Sequence, residues 1–358
     1  MNSPSSSTAA LELSKSPMSP CQICGRAGHG NHFGAITCRA CAAFFRDRLR
    51  LLSDFQTMDT FLGRSNLIIF CARNADQKFK YYIDLQFLLD KAAKVLEKGA
   101  ETPIHSQNPL EKLAIGLQKL RFPQDSNKTK IVTRVGREEV FALWEDEFLK
   151  VTQWLTYFNE FQNLPQMLQL EIVKRVWKVF SRLEKLATTA IARRQKICDE
   201  NMIVAFIEKD LVLCDLKTLD VDLSWCTKYT FEQLKFFNKI DFEKQADALV
   251  QPMLDLQPTD VELSYMLCQL CFHQLGKHHQ GVLLEISEQF QDSLSNHLHD
   301  YYVNSLGIKN YVNRIASMMK INNKIQNFVY HDRVKQELMR VFDIFHVKYS
   351  HPDLFQNS

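Results

Sequence analysis

The sequence contains little glycine and proline, with 11 and 10 among 358 residues. This scarcity excludes a collagen-like or low-complexity chain, and a hydrophobic content of 46% excludes disorder along the whole length. Long apolar runs are also scarce: stretches such as residues 65–73 are broken by charge and fall short of the roughly 18 residues of a membrane span. A globular chain of about two domains, with no membrane partner, is therefore expected.

The first twenty residues differ in composition from the rest. Residues 1–20 hold seven serines and three prolines and few residues that could be buried, so we expect a disordered leader. The segment has neither the basic start nor the continuous apolar core of a secretory signal. Ten cysteines are then expected in a reducing compartment, as metal ligands or small buried groups rather than in disulfides.

Charge is unevenly distributed, although the net charge is only +3. Residues 21–80 carry nine Lys and Arg against four Asp and Glu, a balance of +5, whereas residues 81–358 have a balance of −2. A basic segment followed by a mildly acidic body indicates two parts of different character.

Four cysteines in the basic segment form two closely spaced pairs. Cys21 and Cys24 make one Cys-x2-Cys pair, and after thirteen intervening residues a second pair follows at Cys38 and Cys41. Four thiolates at this spacing can surround one tetrahedral Zn²⁺ and leave no position for water, which predicts one structural zinc ion in a small zinc-ribbon-like finger. The alternative is four unrelated buried thiols. Cys71 is too isolated in the sequence to count as a ligand.

The residues after Cys38 predict a helix that begins at the metal. Aromatic side chains at residues 44 and 45 would face inward, and arginines at 39, 46, 48 and 50 would face outward. An arginine-rich helix fixed by zinc suits the DNA major groove, where arginine contacts guanine edges or phosphates. The alternative is a basic helix face that is simply solvated.

From about residue 81 the pattern becomes helical. Apolar residues recur at i, i+3, i+4 and i+7 in a first helix over residues 85–96, and a second helix is expected around 110–120. A β-hairpin is expected within 202–224. Long helical patterns cover the rest of an all-α domain of roughly 270 residues, at 138–161, 165–194, 231–250, 260–275, 279–302 and 311–345.

Residues 21–46 resemble the first zinc finger of the nuclear hormone receptor DNA-binding domain, in the form common among nematode receptors. The resemblance rests on the two cysteine pairs, on the Gly-x-His-aromatic-Gly run at 30–34, and on Ala-Ala-Phe-Phe-Arg at 42–46. It implies a nuclear protein that is not an enzyme. It also implies that bases are contacted by Arg39, Ala40 and Ala42, and that the DNA backbone is contacted or the helix supported by His32, Phe33, Arg46 and Arg48.

The second cysteine module of that family has no counterpart here. Residues 47–97 contain a single cysteine, Cys71, and Asp47 stands where the family usually has a second arginine. Weakened DNA binding is expected, because phosphate contacts and the counterions they release dominate affinity. Either the protein has lost half of its DNA-binding module or the reading frame omits an exon.

Residues 80–358 resemble the ligand-binding domain of the same receptors, including the signature from Phe161 to Lys174. The resemblance implies a three-layer helical sandwich around an apolar cavity for a small hydrophobic ligand. The alternative for its aromatic stripe is ordinary core packing. The expected cavity-lining residues are Trp144, Phe148, Val151, Leu155, Tyr157 and Phe158.

The resemblance also implies a groove that holds a coregulator helix between charged side chains. Lys174 matches one lysine of the groove, Thr156 stands at the position of the other, and Asp353 is the acid in the terminal helix. Gln169 belongs to the signature beside the groove. Dimerisation with other nuclear receptors is expected as well.

The expected organisation has four parts: a leader (1–20), a partial DNA-binding domain (21–75), a hinge and first helix region (76–107) and the ligand-binding domain (108–358). The leading hypothesis is a nuclear-receptor-type transcription factor. The alternative is a receptor-derived protein without effective DNA binding that dimerises with or titrates other receptors and coregulators. Enzymes are disfavoured because no nucleophile elbow, phosphate loop or open metal site is present.

Overall fold

The structure, a computed structural model, describes residues 19–21, 26–32, 35–39, 81–100, 104, 106–121, 129–207, 210–238, 242–341 and 344–355. The chain divides into two compact units, Met1–Asn74 and Ala75–Ser358. The leader up to residue 18 and the whole of 40–80, which contains all but the start of the helix expected after Cys38, lie outside the described residues.

The described part of the first unit is a short turn followed by a β-hairpin. Strands β1 (Gly30–His32) and β2 (Ala35–Thr37) pair in antiparallel fashion, with Asn31 opposite Ile36. The hairpin lies between the two cysteine pairs in the sequence.

Ten α-helices and seven short strands form the described part of the second unit. The helices are α1 (Gln86–Lys98), α2 (Pro109–Arg121), α3 (Arg137–Leu155), α4 (Asn159–Gln162), α5 (Gln166–Arg194), α6 (Phe231–Asn238), α7 (Phe242–Leu256), α8 (Asp260–His278), α9 (Val282–Asp300) and α10 (Val312–Val341). The strands are β3 (Tyr81–Ile83), β4 (Thr129–Val132), β5 (Arg134–Val135), β6 (Met202–Ile207), β7 (Asp210–Asp215), β8 (Asp220–Val221) and β9 (Val347–Tyr349). A π-helical turn follows α9 at Tyr301–Ser305, and a 3-10 helix follows β9 at Pro352–Phe355.

Local sequence signals explain several helix boundaries. Helix α5 begins directly after Pro165, whose fixed φ suits a helix start. Thr259 caps α8 by accepting a hydrogen bond from the Glu262 amide, while Glu262 accepts one from the Thr259 amide, as expected for a Thr-x-x-Glu capping box. Gly281 starts α9 with φ +69°, a value that favours glycine.

Helices α5 and α8 form the middle layer of a three-layer sandwich. These two helices pack on each other. Helix α5 is also contacted by α3 and α7, and helix α8 by α2 and α9. Helix α10 contacts α7 and α8. The core between the layers contains large aromatic side chains, of which Trp154, Phe148, Phe158, Phe161, Phe180 and Phe272 are completely buried. None of the helices within the described residues is long and apolar enough to cross a bilayer.

Strand pairing joins segments that are distant in the sequence. Strand β3 pairs with β9 in parallel, with Ile83 opposite Tyr349, so the beginning and the end of this unit lie side by side. The expected hairpin forms as β6 and β7, and β4 adds to it in parallel. The single helix expected over 231–250 is instead two helices, α6 and α7, and α7 extends through Pro252 to residue 256.

Candidate functional site

The first cysteine pair begins in a tight turn. The Cys21 amide donates a hydrogen bond to the Arg26 carbonyl at 2.7 Å, and the Gly28 amide donates one to the Ser19 carbonyl at 3.1 Å. A Cβ at position 28 would lie 2.6 Å from Cγ2 of Ile36 and closer still to the Ser19 oxygen, so the turn requires glycine there. The turn buries Cys21, which is 2% exposed.

The hairpin brings the chain to the second cysteine pair. Cys38 follows β2 directly and is half-buried, and Arg39 after it is exposed. A buried thiol on the turn and a half-buried thiol after the hairpin suit a closed thiolate site for zinc, because thiolates are preferred ligands of structural zinc. The other two expected ligands, Cys24 and Cys41, lie outside the described residues.

The expected DNA-contacting residues are only partly described. Arg39 is exposed beside Cys38, and the backbone of His32 ends β1. Phe33, Ala40, Ala42, Arg46 and Arg48 lie outside the described residues. The described geometry therefore carries one arginine at the start of the expected DNA-binding helix.

In the second unit, Lys174 and Asp353 contact each other directly. Their Nζ and Oδ2 atoms are 2.8 Å apart, and Lys174 also binds Glu171 at 2.7 Å. Partial burial acts to lower the pKa of Lys174, but its hydrogen bonds to Asp353 and Glu171 raise that pKa above its usual range. For Asp353, partial burial acts to raise the pKa, and the bond to Lys174 lowers it below that of an ordinary aspartate.

The terminal 3-10 helix is fixed against α3 and α5 by apolar and polar contacts. Leu354 is 2% exposed, and its carbonyl accepts a hydrogen bond from Nε1 of Trp177 at 3.0 Å. The Phe355 ring lies 4.8 Å from that of Trp144 and receives the ammonium of Lys178 at 4.6 Å from its centre. The 3-10 helix Pro352–Phe355 is therefore fixed against α3 and α5.

The side-chain amide of Gln169 is buried and does not face solvent. Its Nε2 donates to the carbonyls of Phe161 at 3.0 Å and Gln162 at 2.9 Å, and the side chain is 7% exposed. The amide thereby ties the short helix α4 to the start of α5.

The expected ligand-contacting residues lie in closely packed surroundings. Phe148, Val151, Leu155 and Phe158 are completely buried, Tyr157 is nearly so, and Trp144 is partly buried. Phe148 packs on Trp177 with ring centres 5.9 Å apart, and Phe158 packs on Phe290 at 4.8 Å. Ring contacts of this kind are typical of aromatic side chains in a packed core.

Comparison with known proteins gives the family. Residues 125–342 match the ligand-binding domain of nuclear hormone receptors, and residues 19–59 match the double treble clef zinc finger of C4 type. The chain belongs to the nuclear hormone receptor family. Membership identifies this receptor as a transcription factor, and the expectation that it is not an enzyme rests on that membership.

Relatives from Caenorhabditis elegans align along the receptor's whole length. Nuclear hormone receptor family member nhr-98 is 45% identical over 100% of this chain and 96% of its own, and nhr-55 is 44% identical over 99% of both. The alignment with nhr-98 runs over 416 positions, whereas this receptor has 358 residues, so at least 58 positions have no residue here.

A buried charge network, which the sequence analysis missed, lies inside the receptor's helical unit. Glu184 of α5 is 3% exposed and accepts hydrogen bonds from Nε of Arg121 at 3.2 Å and from Oγ1 of Thr188 at 2.8 Å. Burial acts to raise the pKa of Glu184, but the positive charges of Lys150 and Arg121 lower it overall. No spacing rule joins Arg121 to Glu184, because they lie 63 residues apart.

Cys268 and Cys271, although spaced like metal ligands, are core residues. Both are completely buried on α8. Burial raises the pKa of each thiol well above its usual range, so both remain protonated and apolar.

The contact between Lys174 and Asp353 should make stability depend on pH. We expect Asp353→Asn to lower the free energy of unfolding at pH 7 by about 0.5–1 kcal/mol, as partly exposed pairs do. Because the pKa of Asp353 is lower in the folded state, its contribution is present above the unfolded carboxyl pKa of about 4 and disappears as pH falls below it.

Urea unfolding of both proteins at several pH values measures this effect. The difference between wild type and Asp353→Asn should be largest near neutrality and shrink toward acid. Asp90→Asn, an exposed change on α1, is the control and should leave stability nearly unchanged. A difference that grows as pH falls would contradict the assignment.

Proposed function

We propose that this receptor is a zinc-dependent transcription regulator that contacts DNA through one finger and partner helices through its helical unit. One zinc ion would be held by Cys21, Cys24, Cys38 and Cys41 and would fix the start of the DNA-binding helix. Zinc supplies no reaction in such a site; it holds the two chain segments together. The observation that carries the proposal is the exposed Arg39 directly after Cys38.

The partner-binding part of the proposal concerns a surface that we call the docking face. It consists of α3, α5 and the C-terminal segment 347–355. The fixed terminal helix, the Lys174–Asp353 pair and the position of Thr156 at the end of α3 support it as the place where a coregulator helix binds. An amphipathic helix on an apolar face is a common mode of peptide recognition.

A titration of labelled duplex DNA with the full-length receptor tests the DNA-binding part. The probes are a receptor half-site and a scrambled duplex of equal composition, with zinc present, at about 50 and 150 mM salt. We expect binding to the half-site that weakens steeply with salt. Arg39→Ala should reduce half-site affinity by about tenfold, because one good arginine–base contact contributes about 1–3 kcal/mol.

Arg26→Ala is the matched control, since Arg26 is also an exposed arginine of the finger but lies on the first turn. It should change affinity much less than Arg39→Ala. Equal affinity for both duplexes, or no binding by a zinc-loaded protein, would contradict direct DNA recognition. That result would favour the alternative function, in which the receptor dimerises with other receptors or titrates coregulators.

A further inference from the structure

Helix α1 has the anchor pattern of a docked amphipathic helix. Its apolar residues recur at i, i+3, i+4, i+7 and i+11, and all are at most 9% exposed. They are Leu85, at the position before the helix, then Leu88, Leu89, Ala92 and Leu96. The opposite face of the helix is exposed and carries Gln86, Asp90, Lys94 and Lys98. The helix also precedes residues 125–342, which match the ligand-binding domain.

This apolar side of α1 lies on the docking face. The helix packs against α3 and α5, and its buried leucines join the same apolar cluster as Val151, Val173 and Trp177. Polar contacts flank the apolar seam: Nε2 of Gln166 donates to the Ala93 carbonyl at 3.0 Å, and Lys91 pairs with Glu145.

Both ends of α1 are held by the borders of the docking face. At its start, the Leu85 amide donates to Oγ of Ser350 at 2.8 Å, and Nε2 of His351 lies 2.7 Å from Oε1 of Gln86. At its end, Leu96 and Gly99 line a cavity of about 220 Å³ together with Thr156. The helix therefore extends from the segment that carries Asp353 to the end of α3.

We infer that α1 occupies the docking face in cis, in the place of a partner's helix. The inference rests on the proposed docking function and names its partner class: an amphipathic helix with leucines at the spacing of Leu85, Leu88 and Leu89, which must displace α1 in order to bind. A tethered helix acts at an effective concentration in the millimolar range, so it excludes weak competitors and admits strong ones. The apparent affinity for a partner is then the intrinsic affinity multiplied by the fraction of molecules in which the docking face is open.

Fluorescence anisotropy with a labelled peptide of residues 84–99 tests this inference on the full-length receptor. Wild type should bind the peptide weakly, because its own α1 covers the face. The Leu88→Ala/Leu89→Ala variant should bind it at least about tenfold more tightly, since truncated anchors release α1. A peptide carrying the same two changes should bind to neither protein.

A milder pair of variants guards against a double variant that fails to fold. Lys91→Glu places like charges against Glu145 and should raise peptide affinity about threefold, whereas Lys94→Glu, on the exposed face of α1, should match wild type. Equal and tight peptide binding by wild type, Lys91→Glu and Lys94→Glu would overturn occupation in cis but keep the docking function. Absence of peptide binding by every folded variant would overturn the docking function as well.

Discussion

A Cys38→Ser variant is expected to lose its zinc and with it all half-site binding. Structural zinc contributes about 10–16 kcal/mol of apparent binding free energy to small finger domains, and that energy is also their folding energy. Cys38 directly follows the hairpin. Without the bond between its thiolate and zinc, the metal no longer holds the second cysteine pair to the first. Metal analysis of purified protein and the DNA titration measure the two effects.

Cys71→Ser is the matched control for this experiment. It removes a thiol from the same unit, Met1–Asn74, but from outside the two Cys-x2-Cys pairs. It should keep one zinc ion per chain. Zinc retained at full occupancy by Cys38→Ser, or lost by Cys71→Ser, would show that the ligand set is wrong. Zinc should also be released on acidification, because protons compete for the thiolates.

Glu184→Gln is expected to destabilise the helical unit by about 3–5 kcal/mol, because it removes the buried carboxylate that balances the charge of Arg121. The Arg121 guanidinium lies beside Glu184 with a side chain that is 2% exposed, and its Nη1 is 3.7 Å from Asp260. Lys150 acts on the same carboxylate. A domain typically has only about 5–15 kcal/mol of net stability, so the loss would be severe.

Urea unfolding of the single and double variants measures this effect. Arg121→Met/Glu184→Leu should be more stable than either single change, because it removes both members of the pair and restores apolar packing. Glu171→Gln, a partly exposed carboxylate on the same helix, is the control and should cost less than about 1 kcal/mol. If Glu184→Gln lowered the free energy of unfolding by less than Glu171→Gln does, the result would contradict a stabilising role for the buried charge network.

Patterns close together in the sequence predicted most of the helical architecture. The boundaries of α1, α2 and α5 lie within a few residues of those expected, because hydrophobic periodicity and capping residues act locally. The β6–β7 hairpin lies within the expected segment 202–224 and ends at residue 215. The family and its fold class were predicted for the same reason: the two cysteine pairs and the helical signature are short and specific.

Contacts between distant residues could not be predicted in this way. Gln169 stays a predicted groove residue, and the signature did not indicate that its amide donates to the carbonyls of Phe161 and Gln162. Of the six residues expected around a ligand, five are buried and Trp144 is partly buried. An aromatic stripe has the same spacing in a core and in a ligand cavity, so the ligand stays a prediction. The Arg121–Glu184 pair gave no signal, because charged residues are usually solvent-exposed.

The sequence by itself determined a cysteine finger ahead of an all-α domain, because both are encoded by residues within a few turns of one another. Only the tertiary structure decided that β3 pairs with β9, that Lys174 reaches Asp353 across 179 positions, and that α1 packs on α3 and α5. These contacts depend on which surfaces meet when the chain folds. An amphipathic helix specifies that it needs an apolar partner, whereas the choice of that partner is made by shape and by the polar groups at its ends.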